Sequence, residues 1–275
     1  MVRTVVSGIC GRTGMLVAGE LACADGVELV GGVEAAGHES VGRTVVEVCG
    51  AGASGGLVVD RLADLRPDGL DVLVDFSAPD QAVRCAGFAA SSGVGLVVAT
   101  TGLSEEQLDA VRNASVSSAV VLAANTSVGA NVMFDLIGRA ASVLGDDFDI
   151  EIVEAHHRNK RDAPSGTALA AADVMAHSRG DADGTAVLAG RSGWSDGRPG
   201  GEIGVHSLRG GAIAGRHTIH FLSELETLAV EHVALSRKAF AVGAVRAALF
   251  AADSAPGLYD MRDVLGLSVN RRPGT

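Results

Sequence analysis

An apolar run over residues 4–9 gives way, at Gly8-Ile9-Cys10-Gly11-Arg12-Thr13-Gly14, to a helical stretch over residues 13–24. Three glycines at that spacing between a strand and a helix leave few folds open. They permit a tight turn, and they let backbone amides approach a pyrophosphate at a helix N-terminus, where the helix dipole favours negative charge. Residues 28–33 read as the next strand, and Glu34 ends it. In a dinucleotide-binding unit an acid about 20 residues beyond the glycines takes the ribose hydroxyls of the adenosine half. The alternative is a glycine-rich turn with a solvated Glu34. Arg12 likewise reads either as a pyrophosphate contact or as a surface charge.

The alternation continues. Residues 70–76 and 94–99 are strongly apolar, and residues 79–90 between them have helical spacing with Pro79 at the start, where a missing N–H matters least. Ser104-Glu105-Glu106-Gln107 is a helix N-terminus, and residues 119–124 form another apolar run. Residues 37–56 are rich in glycine and read mainly as loop, with room for a short element. Repeated strand–helix units of this length predict an α/β, Rossmann-type, doubly wound parallel sheet. Such sheets bind ligands beyond the carboxyl ends of their strands. Ala99-Thr100-Thr101-Gly102 and Ala123-Ala124-Asn125-Thr126 are therefore expected to face the nicotinamide half of a dinucleotide, with ordinary strand-to-helix turn chemistry as the alternative.

The second half reads differently. Residues 132–144 look helical, 149–155 extended, and 165–177 form an alanine-rich helix. Residues 185–201 are a loop holding the single tryptophan, Trp194. Residues 203–222 and 225–234 resemble long, paired strands. These features predict a second, α+β domain carrying an open mixed or antiparallel sheet with helices on one face. The expected organisation is a dinucleotide-binding domain over 1–127, a substrate-binding and oligomerisation domain over 128–238, and a C-terminal return to the first domain over 239–275. The last residues, from Asn270, are expected to fray.

A net charge of -11 argues against nucleic acid or an anionic membrane surface as the main partner, because either needs clustered Lys and Arg. It leaves anionic small molecules open, since these need only a few local cations. Aromatic residues make up 3% of a chain that is 47% hydrophobic, so the core is expected to be built from small and β-branched side chains. No apolar stretch reaches the ~20 residues of a spanning helix, and the N-terminus lacks a signal-peptide layout. Cys10, Cys23, Cys49 and Cys85 form no CxxC pair. They read as small buried hydrophobes, with no metal site, and fit a reducing cytoplasm.

The densest chemical segment is Glu154-Ala155-His156-His157-Arg158-Asn159-Lys160-Arg161-Asp162-Ala163-Pro164-Ser165-Gly166-Thr167-Ala168. It leaves a strand, concentrates cations, and ends in Pro-Ser-Gly-Thr opening a helix. An anion there meets helix-start amides, the hydroxyls of Ser165 and Thr167, Lys160 and the histidines, which together read as a carboxylate cradle. A core role for His156 and a capping role for Ser165 are the alternatives. His206, His217, His220 and His232 lie on expected strands and carry no assigned chemistry.

With these residues in view, the chain resembles the 4-hydroxy-tetrahydrodipicolinate reductase (dihydrodipicolinate reductase) family of the diaminopimelate and lysine pathway. The resemblance runs through the Gly8 loop, Val74-Asp75-Phe76-Ser77, Thr100-Thr101-Gly102, Asn125 with Ser127-Val128-Gly129, residues 154–168, His206-Ser207-Leu208-Arg209-Gly210-Gly211 and Gly257-Leu258-Tyr259-Asp260-Met261. It implies His156 as the acid/base residue, Lys160 as the proton donor, and His157, Gly166 and Thr167 as substrate-binding residues. It implies a cofactor, NADH or NADPH, held by Gly8, Ile9, Cys10, Gly11, Arg12, Thr13, Glu34, Ala99, Thr100, Thr101, Ala123, Ala124, Asn125 and Thr126. It also implies a small dicarboxylate substrate and a homotetramer built through the sheets. Three positions depart from the pattern: Ala99 for a frequent glycine, Thr126 for an aromatic or Met, and Asn159 for a frequent histidine. Rival readings are a Rossmann dehydrogenase acting on another amino acid, such as aspartate, and a nucleotide-sensing module without turnover. A sensor needs neither His156 nor Lys160.

Overall fold

Val72, Leu73 and Val74 are fully buried, and they alternate: the valines face one helix layer and the leucine faces the other. That period of two, buried on both sides, is what a central parallel strand requires. The structure, a computed structural model, describes all residues except 51–54, 181–186, 195 and 268–275. The chain runs β1 (Val2–Ser7), α1 (Gly14–Cys23), β2 (Val27–Val33), α2 (Val45–Cys49), β3 (Val58–Val59), β4 (Val72–Asp75), α3 (Pro79–Ser92), β5 (Gly95–Val98), α4 (Glu105–Ala114) and β6 (Ala119–Leu122). It continues through α5 (Val128–Leu144), β7 (Asp149–His156), α6 (Gly166–Arg179), β8 (Val187–Ala189), β9 (Ile203–Arg209), β10 (Gly215–Leu222) and β11 (Thr227–Ala234). It ends with α7 (Lys238–Asp253), β12 (Gly257–Tyr259) and α8 (Met261–Val264).

Two compact units result, one of Met1–Val128 with Arg237–Thr275 and one of Gly129–Ser236. The first holds a parallel sheet in the order β12-β6-β5-β4-β1-β2-β3. Strand order reverses between β1 and β4, the switch point at which doubly wound sheets open a crevice. Helices α1 and α7 cover one face with Val17, Leu21, Ala244 and Ala248; α3 and α4 cover the other with Ala82, Ala86 and Val111. The small side chains bring helices close to the sheet. Gly243 of α7 approaches so near the carbonyl of Thr126 that a Cβ there would lie 1.6 Å from its oxygen.

The second unit holds a mixed sheet in the order β11-β10-β7-β9-β8. Strand β10 runs antiparallel to β7 and β11, while β7, β9 and β8 are mutually parallel. One face buries Ile150, Ile152, Ile203, Val205, Ile219 and Phe221 against Met133 and Ile137 of α5 and Ala171 and Met175 of α6. The register places Val153, Leu208, Thr218 and Val233 on the opposite face, where Leu208 is 58% exposed.

One local expectation is filled in and two change. Residues 37–56 contain a helix, α2, because Thr44 and Glu47 form a capping box and Gly50 ends the turn in the left-handed region. The 185–201 loop contains the edge strand β8, an apolar run too short for its periodicity to show; part of that loop, and the tail from Asn270, lie outside the described residues. The run over 203–222 is two strands that do not pair with each other. It breaks at Gly210-Gly211, and β9 and β10 lie on either side of β7.

Candidate active site

In the second unit the site grows from the end of β7. Glu154 and His156 are two apart on one strand, so both side chains fall on the same face. Glu154 is fully buried. Its Oε2 lies 2.6 Å from His156 Nδ1, and its Oε1 accepts from the Ser165 amide at 3.1 Å. The register sets Arg209 of β9 opposite His156, and its guanidinium donates to both Glu154 oxygens, at 2.8 and 2.7 Å. A buried carboxylate so held stays ionised: burial opposes the charge, but Arg209, Ser207 and His156 outweigh it and bring the carboxyl down to about 2. An ionised Glu154 makes Nδ1 of His156 the protonated nitrogen and leaves Nε2 as the one with a lone pair in the neutral ring. Burial lowers the His156 pKa, against the raising effect of Glu154.

Beyond His156 the chain turns back. Lys160 N–H donates to the His157 carbonyl at 3.1 Å, and Lys160 Nζ donates to Asp162 at 2.7 Å. Arg209 also donates to the Asp162 carbonyl, and Gly210 N–H to that of His156, so β9 braces this loop. Ser165 then caps α6, its hydroxyl accepting from Ala168 N–H at 3.2 Å. It is 1% exposed, whereas Gly166 opens to solvent. His217 of β10 completes the arrangement. Its Nε2 lies 3.1 Å from Ser165 Oγ, and its ring meets that of His156 edge-on at 5.2 Å. Burial, then His156, pushes the His217 pKa down to about 4.

In the first unit the glycine loop closes on itself. Gly8 has φ +75°, and a Cβ there would stand 2.7 Å from the Phe76 carbonyl; a Cβ on Gly14 would collide with the Gly8 carbonyl at 2.0 Å. Neither position admits a side chain. No side chain caps α1 and no acid lies in its first turn. Arg12, Thr13 and Gly14 amides find no backbone acceptor among the described residues. An uncapped helix start with Arg12 exposed beside it fits the pyrophosphate of a dinucleotide. Glu34 accepts from Cys10 N–H at 3.0 Å and from Ala35 N–H at 2.9 Å, so it also braces the loop.

Several expected cofactor side chains point inward instead. Ile9 is fully buried in the core. Cys10 Sγ donates to Ser40 Oγ. Thr126 is 1% exposed and donates to the Phe240 carbonyl at 2.7 Å, so its hydroxyl is turned into the protein. Thr100 Oγ1 donates to Asp75 at 2.5 Å and accepts from Ser77 N–H at 3.0 Å. Asp75 is fully buried and also receives Ser77 Oγ. Burial raises its pKa, and the hydroxyls of Ser77 and Thr100 oppose that rise. Thr101 and Ala124 remain exposed at the carboxyl ends of β5 and β6, and Asn125 Oδ1 accepts from Ser127 N–H.

Residues 2–126 match the family described as dihydrodipicolinate reductase, N-terminus, and residues 129–265 match dihydrodipicolinate reductase, C-terminus. The chain belongs to the dihydrodipicolinate reductase family. It is 45% identical over 267 residues to the 4-hydroxy-tetrahydrodipicolinate reductase of Anaeromyxobacter sp. (strain Fw109-5), covering 97% of this chain and 98% of the relative. It is 44% identical to the protein of that name from Rubrobacter xylanophilus, covering 98% of this chain and all of the relative. In fold it is similar to a dipicolinate-bound dihydrodipicolinate reductase from Paenisporosarcina sp. TG-14, with TM-score 0.75 at 23% identity over 94% of this chain and 97% of that one.

As a dihydrodipicolinate reductase family member, the chain carries groups that its linear sequence does not single out. Glu154 lies in the dense segment but gains its meaning from Arg209, 55 positions away. His217, to which no chemistry was assigned, is built into the site. Nothing in spacing marks either, because both depend on strand register. Among the described residues, no His, Cys, Asp and Glu cluster is placed to hold a metal, and no helix is long and apolar enough to cross a membrane.

Proposed function

We infer that this chain catalyses the NAD(P)H-dependent reduction of 4-hydroxy-tetrahydrodipicolinate to tetrahydrodipicolinate, with loss of the hydroxyl as water, in lysine and diaminopimelate biosynthesis. The observation that carries this reading is the likeness, over 97% of the chain, to relatives named for that reaction. The geometry then suggests the parts. The dinucleotide supplies the hydride. Gly8, Ile9, Cys10, Gly11, Arg12 and Thr13 would hold its pyrophosphate through backbone amides. Glu34 would take the ribose hydroxyls. Residues 99–101 and 123–126 would line the nicotinamide end by their backbone, with Thr101 and Asn125 the side chains nearest to hand.

In the second unit, the start of α6 at Ser165, Gly166 and Thr167 would receive one substrate carboxylate, with His157 beside it. Lys160 would donate the proton that balances the incoming hydride. His156, held with Nδ1–H on Glu154, would exchange protons through Nε2. Oriented groups of this kind contribute to rate by position as much as by acidity. The exposed sheet face bearing Leu208 and Val233 supports a homotetramer, and the cysteine usage supports a cytoplasmic location. The test is loss of nicotinamide absorbance with purified chain. It should require the cyclic condensation product as co-substrate. Equal turnover with oxaloacetate and ammonia, the oxidised side of an aspartate dehydrogenase reaction, or none with either acceptor, would overturn the reading.

A further inference from the structure

His217 stands where strand β10 meets the start of α6, 4% exposed, with its Nδ1 buried and without a partner among the described residues. Its Nε2 lies 3.1 Å from Ser165 Oγ, which already accepts from Ala168 N–H. Two tautomers are open to the ring. If Nδ1 carried the proton, a buried N–H would have no acceptor; if Nε2 carries it, only a bare lone pair goes unpaired. Orphaned buried N–H groups are the rarer of the two in folded proteins. The Nε2–H tautomer therefore has the advantage, and it makes His217 the donor and Ser165 Oγ the acceptor.

Ser165 Oγ then accepts two hydrogen bonds, which occupies both of its lone pairs. Its own proton is left for a third group. We propose that His217 is a positioning residue: it donates Nε2–H to Ser165 and so frees the Ser165 hydroxyl proton for a substrate carboxylate bound at the start of α6. The proposal rests on the carboxylate subsite read above. It gives a buried histidine, remote in sequence from the dense segment, a role in binding the dicarboxylate rather than in moving protons. The edge-on contact with His156 adds a second restraint on the same wall of the site.

The test measures binding of pyridine-2,6-dicarboxylate, a flat ring with two carboxylates, to the full chain with NADH present. A glutamine amide reaches the place of Nε2, whereas an asparagine amide reaches only that of Nδ1. His217→Gln should keep affinity within about twofold, and His217→Asn should lose about tenfold, the equivalent of one charge-assisted hydrogen bond. Ser165→Ala should lose a similar factor. The double variant Ser165→Ala/His217→Asn should bind no worse than Ser165→Ala alone, because His217 acts through that hydroxyl. Circular dichroism and the urea denaturation midpoint check that each variant is folded; if His217→Asn fails that check, His217→Leu replaces it. Additive losses in the double variant, or equal affinities of the Gln and Asn variants, would overturn the role of His217 while leaving the subsite in place. Unchanged binding in Ser165→Ala would overturn the subsite and this inference together.

Discussion

Arg209 grips both oxygens of Glu154, at 2.8 and 2.7 Å, and the same carboxylate holds His156 at 2.6 Å. The guanidinium is thus one residue removed from the group assigned acid/base work. Replacing it with methionine leaves a buried carboxylate without its counter-charge, which costs about 3 kcal/mol in stability. It also removes a cation that lowers the His156 pKa. Arg209→Met should therefore shift the His156 limb of the kcat/KM profile to higher pH and lower the denaturation midpoint. A profile unmoved at reduced stability would confine Arg209 to a structural role.

Acid should weaken the fold in two stages. His217 faces His156, Glu154, His232 and Lys160, and burial holds its pKa at about 4 against an ordinary 6.5. The unfolded chain then binds more protons between those values, so stability falls as pH drops through that window, by roughly 3 kcal/mol for an isolated shift of this size. Glu154 acts lower. Its contribution is fully present above 4.5 and is lost as pH falls toward about 2. Urea denaturation across this range should show the first decline in the native chain and a flatter one in His217→Gln. Identical curves would contradict the assignment.

The first sheet was legible because parallel strands buried on both faces announce themselves as apolar runs, such as the Val72, Leu73 and Val74 stretch, and the glycines sit between two such elements. The second sheet was legible in kind but not in order. Gly210 and Gly211 split one apparent strand into two, and only long-range pairing decides that β7 lies between them. The same limit hid the pairing of Arg209 with Glu154 and the place of His217, both of which exist through register. Thr126 and Thr100 enter the cofactor reading because they follow strands, which fixes the place of their backbone and not the direction of their hydroxyls. Whether a hydroxyl turns inward to Phe240 or Asp75 depends on packing that no local pattern encodes.

Lys160→Ala should lower kcat by about 10²–10⁴-fold, the usual loss for a positioned acid. NADH affinity should stay near that of the native chain, since the glycine loop belongs to the other unit. Steady-state kinetics and a separate fluorescence titration distinguish the outcomes. Near-normal kcat would remove Lys160 from the chemistry, and a parallel loss of NADH affinity would indicate misfolding.

NADH should be accepted as hydride donor, at no disadvantage to NADPH. Glu34, proposed to take the ribose hydroxyls, would set a carboxylate beside a 2′-phosphate, and Ala35 and Ala36, which follow it, supply no cation. Comparison of kcat/KM for the two dinucleotides checks this. A tenfold or greater advantage for NADPH would mean that Arg12 or Arg43 offsets the charge.

The most direct measurement follows the hydride itself. With nicotinamide deuterated at the transferring position and 4-hydroxy-tetrahydrodipicolinate as acceptor, the account predicts a cyclic dicarboxylate product carrying one deuterium, formed in step with dinucleotide oxidation. Oxidation without deuterium in the product, or no oxidation in the presence of that acceptor, would contradict it.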